Sequence, residues 1–168
     1  ADSINKLVQK IQPDFVFHLA AQALVRPSYE DPLGTITTNA IGTANFLDAL
    51  RSLDKPVVAI MITSDKAYDN VEWVWGYRET DRLGGKDPYS ASKGMAELVI
   101  RTYVESFFNS SDSNVRVGIT RAGNVIGGGD WAIDRIVPDC MQAWALNQTV
   151  DIRSPQATRP WQHVLEPL

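Results

Sequence analysis

Three short apolar runs, separated by longer segments with helical spacing, most constrain the fold that this chain can adopt. The runs cover residues 14–21, 57–63 and 115–121, and apolar residues recur at helical spacing over 3–12, 31–52 and 89–109. Runs that are apolar at nearly every position are typical of strands buried on both faces. Strands that alternate with helices in this way form parallel sheets. The sequence therefore predicts an α/β fold with a parallel sheet, in which the first run is a central strand.

Shorter patterns predict the structure of the remaining segments. The predicted segments are a loop at 22–29, a long connection at 69–86, a mostly helical segment at 133–146, a short strand at Val150–Ile152, and a polar tail that carries Arg153, Arg159 and His163. The long connection is rich in tryptophan, tyrosine, glycine and charged residues. A connection of that length inside a compact domain is usually functional.

A tyrosine and a lysine open the helix predicted over 89–109. Tyr89 and Lys93 are four residues apart, so they share one face of the helix, and Pro88 suits its first turn. An ammonium beside a phenol favours the phenolate, which makes Tyr89 a candidate proton acceptor for an alcohol. This spacing alone is a weak signal, because it arises by chance in roughly one chain in three of this length.

Polar residues follow the second apolar run at the point where the strand should end. Ser64, Asp65 and Lys66 supply a hydroxyl, a carboxylate and an amine there, and open α/β sheets bind ligands at that edge. The alternative is an ordinary loop start. Likewise, Ala20 and Ala21 after the first run could admit a flat ligand or simply pack under a helix. His18 is interpreted as a core histidine, because no metal-ligand spacing accompanies it, and no metal site is predicted.

Composition excludes several classes of protein. The formal net charge is −4 and no basic run is present, so nucleic acid is not an expected partner. The single cysteine, Cys140, predicts a buried thiol in a reducing compartment instead of a disulfide scaffold. No apolar stretch approaches the roughly 18 residues of a membrane span, and the start lacks a signal-peptide pattern. These features predict a soluble, cytoplasmic protein that does not enter membranes.

Taken together, five motifs resemble the extended short-chain dehydrogenase/reductase family. They are His18–Ala21, Asn39–Thr43, Thr63–Asp65, Tyr89 with Lys93, and Arg121–Asn124, and they extend over nearly the whole chain. Within that family, residues 64–70, 76–79 and 159–164 are similar to the nucleotide-sugar 4,6-dehydratases of the CDP-glucose branch. The resemblance implies a Rossmann-like, doubly wound parallel sheet, followed by the start of a small substrate domain. It also implies bound NAD, a nucleotide-sugar substrate, and a role in deoxysugar and lipopolysaccharide O-antigen biosynthesis.

The same resemblance implies roles for individual residues. Tyr89, assisted by Lys93 and Ser64, would take the proton of the sugar 4-hydroxyl. Asp65 would protonate the departing 6-hydroxyl, and Lys66 would remove the C5 proton in place of the glutamate of most such dehydratases. Epimerases of the family lack this acid-and-base pair. The remaining expected contacts are Leu19, Ala20, Ala21, Tyr89 and Lys93 with NAD, and Arg26, Asn124 and Arg159 with the nucleotide sugar. For Arg159 the alternative is a solvated surface charge.

One part of the family pattern is missing. No strand, glycine-rich turn and helix for the NAD pyrophosphate precede Ala1, and Gly127–Gly129 lacks the required spacing. Residues 1–122 are therefore interpreted as the C-terminal part of an NAD-binding domain, and 123–168 as part of a nucleotide-sugar-binding region. We expect the central piece of a longer enzyme, inactive and poor at binding NAD on its own.

Three alternatives remain open at the level of sequence. Within the enzyme class they are another nucleotide-sugar 4,6-dehydratase or a 4-epimerase. In a different class, the chain is a catalytically silent binding or structural fragment.

Association is predicted as well, because apolar residues cover more than half the circumference of the helix over 89–109. A sheet buries only one side of a helix, so the other side predicts a homodimer.

Overall fold

The computed structural model describes residues 1–132 and 134–168. The chain divides into two compact units, Ala1–Ala122 and Gly123–Leu168.

The first unit is built on a three-stranded parallel sheet. The strands are β1 (Phe15–His18), β2 (Val57–Ile62) and β3 (Val115–Thr120), in the order β1-β2-β3. Their register aligns Val16 with Ala59 and Ala59 with Val117. The predicted α/β fold with a parallel sheet is confirmed.

Five helices accompany this sheet. They are α1 (Asp2–Ile11), α2 (Val25–Glu30), α3 (Pro32–Ile36), α4 (Gly42–Leu50) and α5 (Pro88–Tyr103). A π-helical segment, Thr37–Ile41, joins α3 to α4, and another, Val104–Phe108, extends α5. The loop predicted at 22–29 is wrong, because α2 occupies most of it. One and a half turns of helix are too short to show helical periodicity in a sequence.

The hydrophobic core lies between one face of the sheet and the helices. Val57, Ala59 and Met61 of β2 point into it and pack with Leu47 and Leu50 of α4. All five side chains are at most 1% exposed. Since successive residues of a strand point to opposite faces, the alternating burial of β2 identifies this as the covered face.

Strand β1 departs from the prediction of a central strand buried on both faces. It lies at the edge of the sheet, and Phe15 and Phe17 are 67% and 63% exposed. Its apolar composition suits two-sided burial, but burial also needs a layer of structure against the second face. An apolar run shows that a strand is suited to burial on both faces, but it does not show whether a second layer of structure covers the other face.

The start of α5 is fixed by local chemistry. Asp87 caps the helix, since its carboxylate accepts hydrogen bonds from the backbone nitrogen and the hydroxyl of Ser90, at 2.9 and 2.6 Å. Pro88 occupies the first turn, as predicted. A methyl group at Gly85 would lie 2.3 Å from the backbone nitrogen of Ala91. Only glycine therefore lets the long connection approach the helix so closely.

The second unit contains helix α6 (Ile136–Ala145) and a two-stranded parallel sheet of β4 (Asn124–Ile126) and β5 (Trp161–His163). Within the predicted helical segment 133–146, Ile133 lies outside the described residues. The strand predicted at Val150–Ile152 is wrong, and a strand forms instead inside the predicted polar tail. Runs of three residues become strands only where a partner is available, and the partner strand is distant in sequence.

No helix in the described part of the chain is both long enough and apolar enough to cross a bilayer. The thiol of Cys140 is half-buried, not fully buried as predicted.

Candidate functional site

The carboxyl ends of the three parallel strands bring the residues that follow them to one edge of the sheet. Leu19–Ala21 follow β1, Ser64–Lys66 follow β2, and Arg121 follows β3. Parallel strands end at the same edge, which is where open α/β sheets bind ligands. The candidate site is therefore this edge together with the first turns of α5.

Tyr89 and Lys93 lie on the buried face of α5 and are 8% and 7% exposed. Burial lowers the pKa of the Lys93 ammonium, because desolvation penalises the charged form. The backbone nitrogen of Tyr89 donates to the hydroxyl of Ser28 in α2, at 3.1 Å. The helix turn that carries the predicted proton acceptor is thus anchored to a second helix.

Lys93 lines a pocket together with Ala20, Ala21 and Asn39. The two alanines form a wall with little side-chain volume, and the lysine contributes an amine to the same pocket. Leu19, the third residue of the predicted cofactor contact, is exposed. A small apolar wall beside a buried amine has the character needed to hold a flat ring attached to a sugar.

Asn39 holds this wall in place from the π-helical segment. Its amide nitrogen donates to the carbonyl of Gln22 at 3.0 Å and to the hydroxyl of Ser92 at 2.8 Å. Its side-chain oxygen accepts from the backbone nitrogen of Gln22 at 2.8 Å. Asn39 thus bonds the backbone just beyond the end of β1. Single π-helical turns are frequent at functional sites, and this one aims the amide across to α5.

Ser64, Asp65 and Lys66 are half-buried on a turn at the end of β2. The Ser64 hydroxyl accepts from the Lys66 backbone nitrogen at 3.2 Å and donates to the Asp65 carboxylate at 3.1 Å. The backbone nitrogen of Asp65 donates to the carbonyl of Ala122 at 3.0 Å. This turn packs on α5, where a methyl group at Gly94 would lie 3.5 Å from the Ala67 carbonyl. The catalytic roles of the three residues stay predictions.

A buried ion pair beside these residues was missed at the level of sequence. Glu97 is fully buried, and its carboxylate accepts two hydrogen bonds from the Arg121 guanidinium, through Nε at 2.6 Å and through Nη2. The Thr63 hydroxyl donates to the same carboxylate at 2.7 Å. These bonds raise the pKa of Arg121 further above its ordinary value, chiefly through Glu97. The signal available was Glu97 itself, a carboxylate one turn beyond Lys93 on an apolar helix face.

The predicted substrate contacts lie elsewhere in the chain. Arg26 is exposed on α2 in the first unit. In the second unit, Asn124 is half-buried in β4, while Arg159 is exposed and donates to the carbonyl of Thr158 at 2.6 Å. Their roles stay predictions. Among the described residues, no cluster of three or more histidine, cysteine, aspartate or glutamate side chains has the arrangement of a metal site.

His18 gives the first unit an expected sensitivity to acid. Its ring packs against Phe46, with the centroids 4.9 Å apart. Burial lowers the pKa of His18 below its ordinary value, and the charge of Lys93 adds to this effect. The unfolded chain therefore binds a proton more readily than the folded one. The free energy of unfolding should fall as the pH drops below about 6.5, until the folded histidine is also protonated.

The substitution His18→Gln should reduce this acid-induced loss, because glutamine does not titrate. Urea unfolding of the complete protein and of the variant, repeated from neutral to mildly acidic pH, measures how steeply the free energy of unfolding of each depends on pH. Equal slopes for the two proteins would show that His18 does not contribute.

Comparison with known proteins gives consistent findings. The sequence matches the family described as GDP-mannose 4,6 dehydratase over residues 1–166. It is 51% identical to a CDP-glucose 4,6-dehydratase from Salmonella typhimurium, over 99% of this chain and 47% of the relative. It is 26% identical to a UDP-glucose 4-epimerase from Mycoplasma pneumoniae, over 97% of this chain and 51% of that relative. The chain thus spans about half the length of the curated relatives it matches.

Solved structures share the fold. A dTDP-glucose 4,6-dehydratase from Streptomyces venezuelae, solved with NAD bound, superposes with a TM-score of 0.81 at 22% identity, covering 96% of this chain and 47% of that chain. A UDP-glucuronic acid 4-epimerase from Bacillus cereus, also solved with NAD, gives 0.80 at 23% identity, covering 95% and 48%. At these identities the likeness concerns the fold, and it agrees with the predicted Rossmann-like sheet.

Proposed function

Because the chain belongs to the family described as GDP-mannose 4,6 dehydratase, we propose that its protein is an NAD-dependent 4,6-dehydratase of CDP-glucose. The observation that carries this proposal is that Asp65 and Lys66, an acid and a base, are neighbours on the turn that follows β2 and packs on α5. The 51% identity to a CDP-glucose 4,6-dehydratase favours this nucleotide sugar over others. The product, CDP-4-keto-6-deoxy-D-glucose, is of a class that deoxysugar synthesis consumes.

NAD fits the residues at the sheet edge. Ala20 and Ala21 carry no bulky side chain that would exclude a flat ring, Lys93 supplies a donor for ribose hydroxyls, and Leu19 offers an exposed apolar surface. When bound, NAD supplies a hydride acceptor for C4 of the sugar and later a hydride donor for C6. We assign the first unit to NAD and the second to part of the nucleotide-sugar site, with Arg26, Asn124 and Arg159 as the proposed substrate contacts.

Tyr89 acts first in this mechanism. Its phenolate takes the proton of the 4-hydroxyl as C4 becomes a ketone, and the Lys93 ammonium stabilises the phenolate. Lys93 is desolvated, so its charge acts on its surroundings more strongly than it would in water. Ser64 donates a hydrogen bond to the same oxygen of the sugar.

Asp65 and Lys66 then remove water across C5 and C6. The 4-ketone acidifies the C5 proton, which the amine of Lys66 takes. The electron pair of that C–H bond forms the C5–C6 double bond, and the 6-hydroxyl leaves with the proton of Asp65. Lys66 then returns the proton to C5, and the reduced cofactor would supply the hydride that C6 needs to give the 4-keto-6-deoxy sugar. The two residues are adjacent on one short turn, so a single backbone segment delivers both the base and the acid.

The proposal is tested by incubating the complete protein with CDP-, UDP-, GDP- and dTDP-glucose and identifying the products. We expect CDP-4-keto-6-deoxyglucose to form, with the other three nucleotide sugars turned over more slowly. Conversion of any of them to the 4-epimer would support the epimerase alternative, which the 26% identity to a UDP-glucose 4-epimerase raises. No turnover of any sugar would support a silent binding fragment.

We further propose that the complete protein is a homodimer through α5. Met95 and Leu98 lie on the side of α5 opposite its buried face and are 40% and 55% exposed. Replacing both with glutamate should convert a dimer to a monomer, because the charges would be buried without partners at the interface. Light scattering at micromolar concentration measures the change, with circular dichroism as the control for folding. A wild-type protein that is already monomeric would contradict the dimer.

A further inference from the structure

We propose that the buried Glu97–Arg121 pair, acting through the ring of Tyr68, is a positioning device that holds the Asp65–Lys66 turn in place for the elimination step. This inference rests on the proposed function and adds to it three residues outside the predicted catalytic set.

The pair connects the three elements that meet at the candidate site, which are β2, β3 and α5. Glu97 lies one turn beyond Lys93 on α5, and Arg121 comes directly after β3. Thr63, which donates to Glu97 at 2.7 Å, directly precedes Ser64 after β2. A single carboxylate therefore binds the ends of two strands to the helix that carries Tyr89 and Lys93.

Arg121 also reaches the far end of the turn. Its guanidinium carbon lies 4.5 Å from the centre of the Tyr68 ring, within the range of a cation–π interaction. Tyr68 directly follows the turn, and its backbone nitrogen donates to the Asp65 carbonyl at 3.1 Å. The turn is thus held at its start through Thr63 and at its end through Tyr68, and both contacts lead to the same ion pair.

The long connection 69–86 is attached to this device as well. The Tyr68 ring stacks on Tyr77, with centroids 5.0 Å apart, and the Tyr77 hydroxyl donates to Asn70 at 2.9 Å. The carbonyl of Glu79 accepts hydrogen bonds from Arg121 at 3.4 Å and from Arg101 at 3.0 Å. Arg121 is consequently shared between the turn and the connection, and it cannot shift without disturbing both.

Stability alone does not account for such an arrangement. Desolvating a carboxylate and a guanidinium largely offsets their attraction, so a buried pair is often no more stabilising than apolar residues of similar size. What the pair provides is direction, because two parallel hydrogen bonds fix the plane of the guanidinium. That plane is the surface against which Tyr68 lies. In the proposed reaction, a displacement of Lys66 by about 1 Å is enough to slow proton removal substantially.

The test compares Tyr68→Leu with Tyr68→Phe in the complete protein supplied with NAD and CDP-glucose. Leucine removes the ring but leaves the buried pair intact, whereas phenylalanine keeps the ring. For Tyr68→Leu we expect C4 oxidation at the wild-type rate and elimination slowed by at least tenfold. Reduced nicotinamide should then accumulate transiently, and deuterium at C5 of the substrate should slow turnover more than in the wild type. Tyr68→Phe should restore the wild-type balance of the two steps.

Phe107→Leu is the matched control. Arg51 lies over the Phe107 ring at 4.0 Å, so this variant removes the same kind of contact in the π-helical segment beyond α5. It should leave the balance of oxidation and elimination unchanged. Thermal unfolding of all variants separates a loss of folded protein, which would lower both steps equally, from a displaced turn. If Tyr68→Leu does not fold, Arg121→Lys replaces it, since lysine keeps the charge but cannot form the two parallel bonds.

The outcomes separate this inference from the proposed function. Wild-type protein that forms no 4-keto-6-deoxy product would overturn the proposed function. Active wild-type protein, combined with a Tyr68→Leu or Arg121→Lys variant that shows no accumulation of reduced nicotinamide and no larger isotope effect at C5, would overturn the positioning role alone.

Discussion

Replacing Tyr89 with phenylalanine is expected to lower turnover of CDP-glucose by about 10²- to 10⁴-fold, the usual contribution of a positioned proton-transfer group. Phenylalanine keeps the ring of this buried residue, which is 8% exposed in the structure, but removes the oxygen that we propose accepts the 4-hydroxyl proton. Oxidation at C4 is the first step of the proposed mechanism, so neither reduced nicotinamide nor the 5,6-unsaturated sugar should accumulate. Rapid mixing with substrate in the complete protein, followed by product analysis, measures both effects.

The matched control for this prediction is Tyr103→Phe. Tyr103 ends the same helix but packs against Phe107 and Phe108, with ring centroids 5.3 and 6.2 Å away. Loss of its hydroxyl should leave turnover near that of the wild type. A Tyr89→Phe variant as active as the control would remove Tyr89 from the mechanism.

The second large effect is expected for Lys66→Ala. In the proposed mechanism oxidation at C4 does not use Lys66, so it should proceed almost normally, while removal of the C5 proton should slow by about 10²-fold or more. The oxidised sugar should then accumulate together with reduced nicotinamide, whose absorbance should rise and decay slowly after mixing. The two variants are distinguished by the accumulation of reduced nicotinamide. Tyr89→Phe should block the reaction before C4 is oxidised, whereas Lys66→Ala should block it after that oxidation.

Lys55→Ala serves as the control for charge. Lys55 forms an exposed ion pair with Asp14 at 2.7 Å, just before β1 and β2 begin, at the end of the sheet opposite the candidate site. Its removal should not alter the reaction. Wild-type turnover by Lys66→Ala would make Lys66 a surface charge and would remove the strongest support for a dehydratase.

The parallel sheet and the helix that carries Tyr89 were predictable because they depend on local patterns. Strand β2 is apolar at every position, and the Asp87–Pro88 start of α5 is a recognisable cap. The spacing of Tyr89 and Lys93 then places both on one face of the helix without any knowledge of the tertiary structure. The polar residues after β2 follow from the same logic, since strand ends meet at one edge.

The features that were missed depend on contacts between distant residues. Glu97 and Arg121 are 24 residues apart in the sequence. Nothing in the residues around either one indicates that the two form a pair. The π-helical segment that carries Asn39 lies inside a longer helical pattern that does not mark it, and its Asn39 bonds to Gln22 and Ser92, which are distant in sequence. Strand β1 was predicted to be buried on both faces because its residues are apolar, whereas its exposure depends on which other layers are present.

The proposed mechanism requires that hydride taken from C4 return to C6 of the same sugar after water is lost. The most direct measurement uses CDP-glucose with deuterium at C4, incubated with the complete protein and NAD in ordinary water. We predict a CDP-4-keto-6-deoxyglucose whose C6 methyl group carries the deuterium. Deuterium retained at C4 of an epimerised sugar, or absent from C6 of the product, would contradict the account.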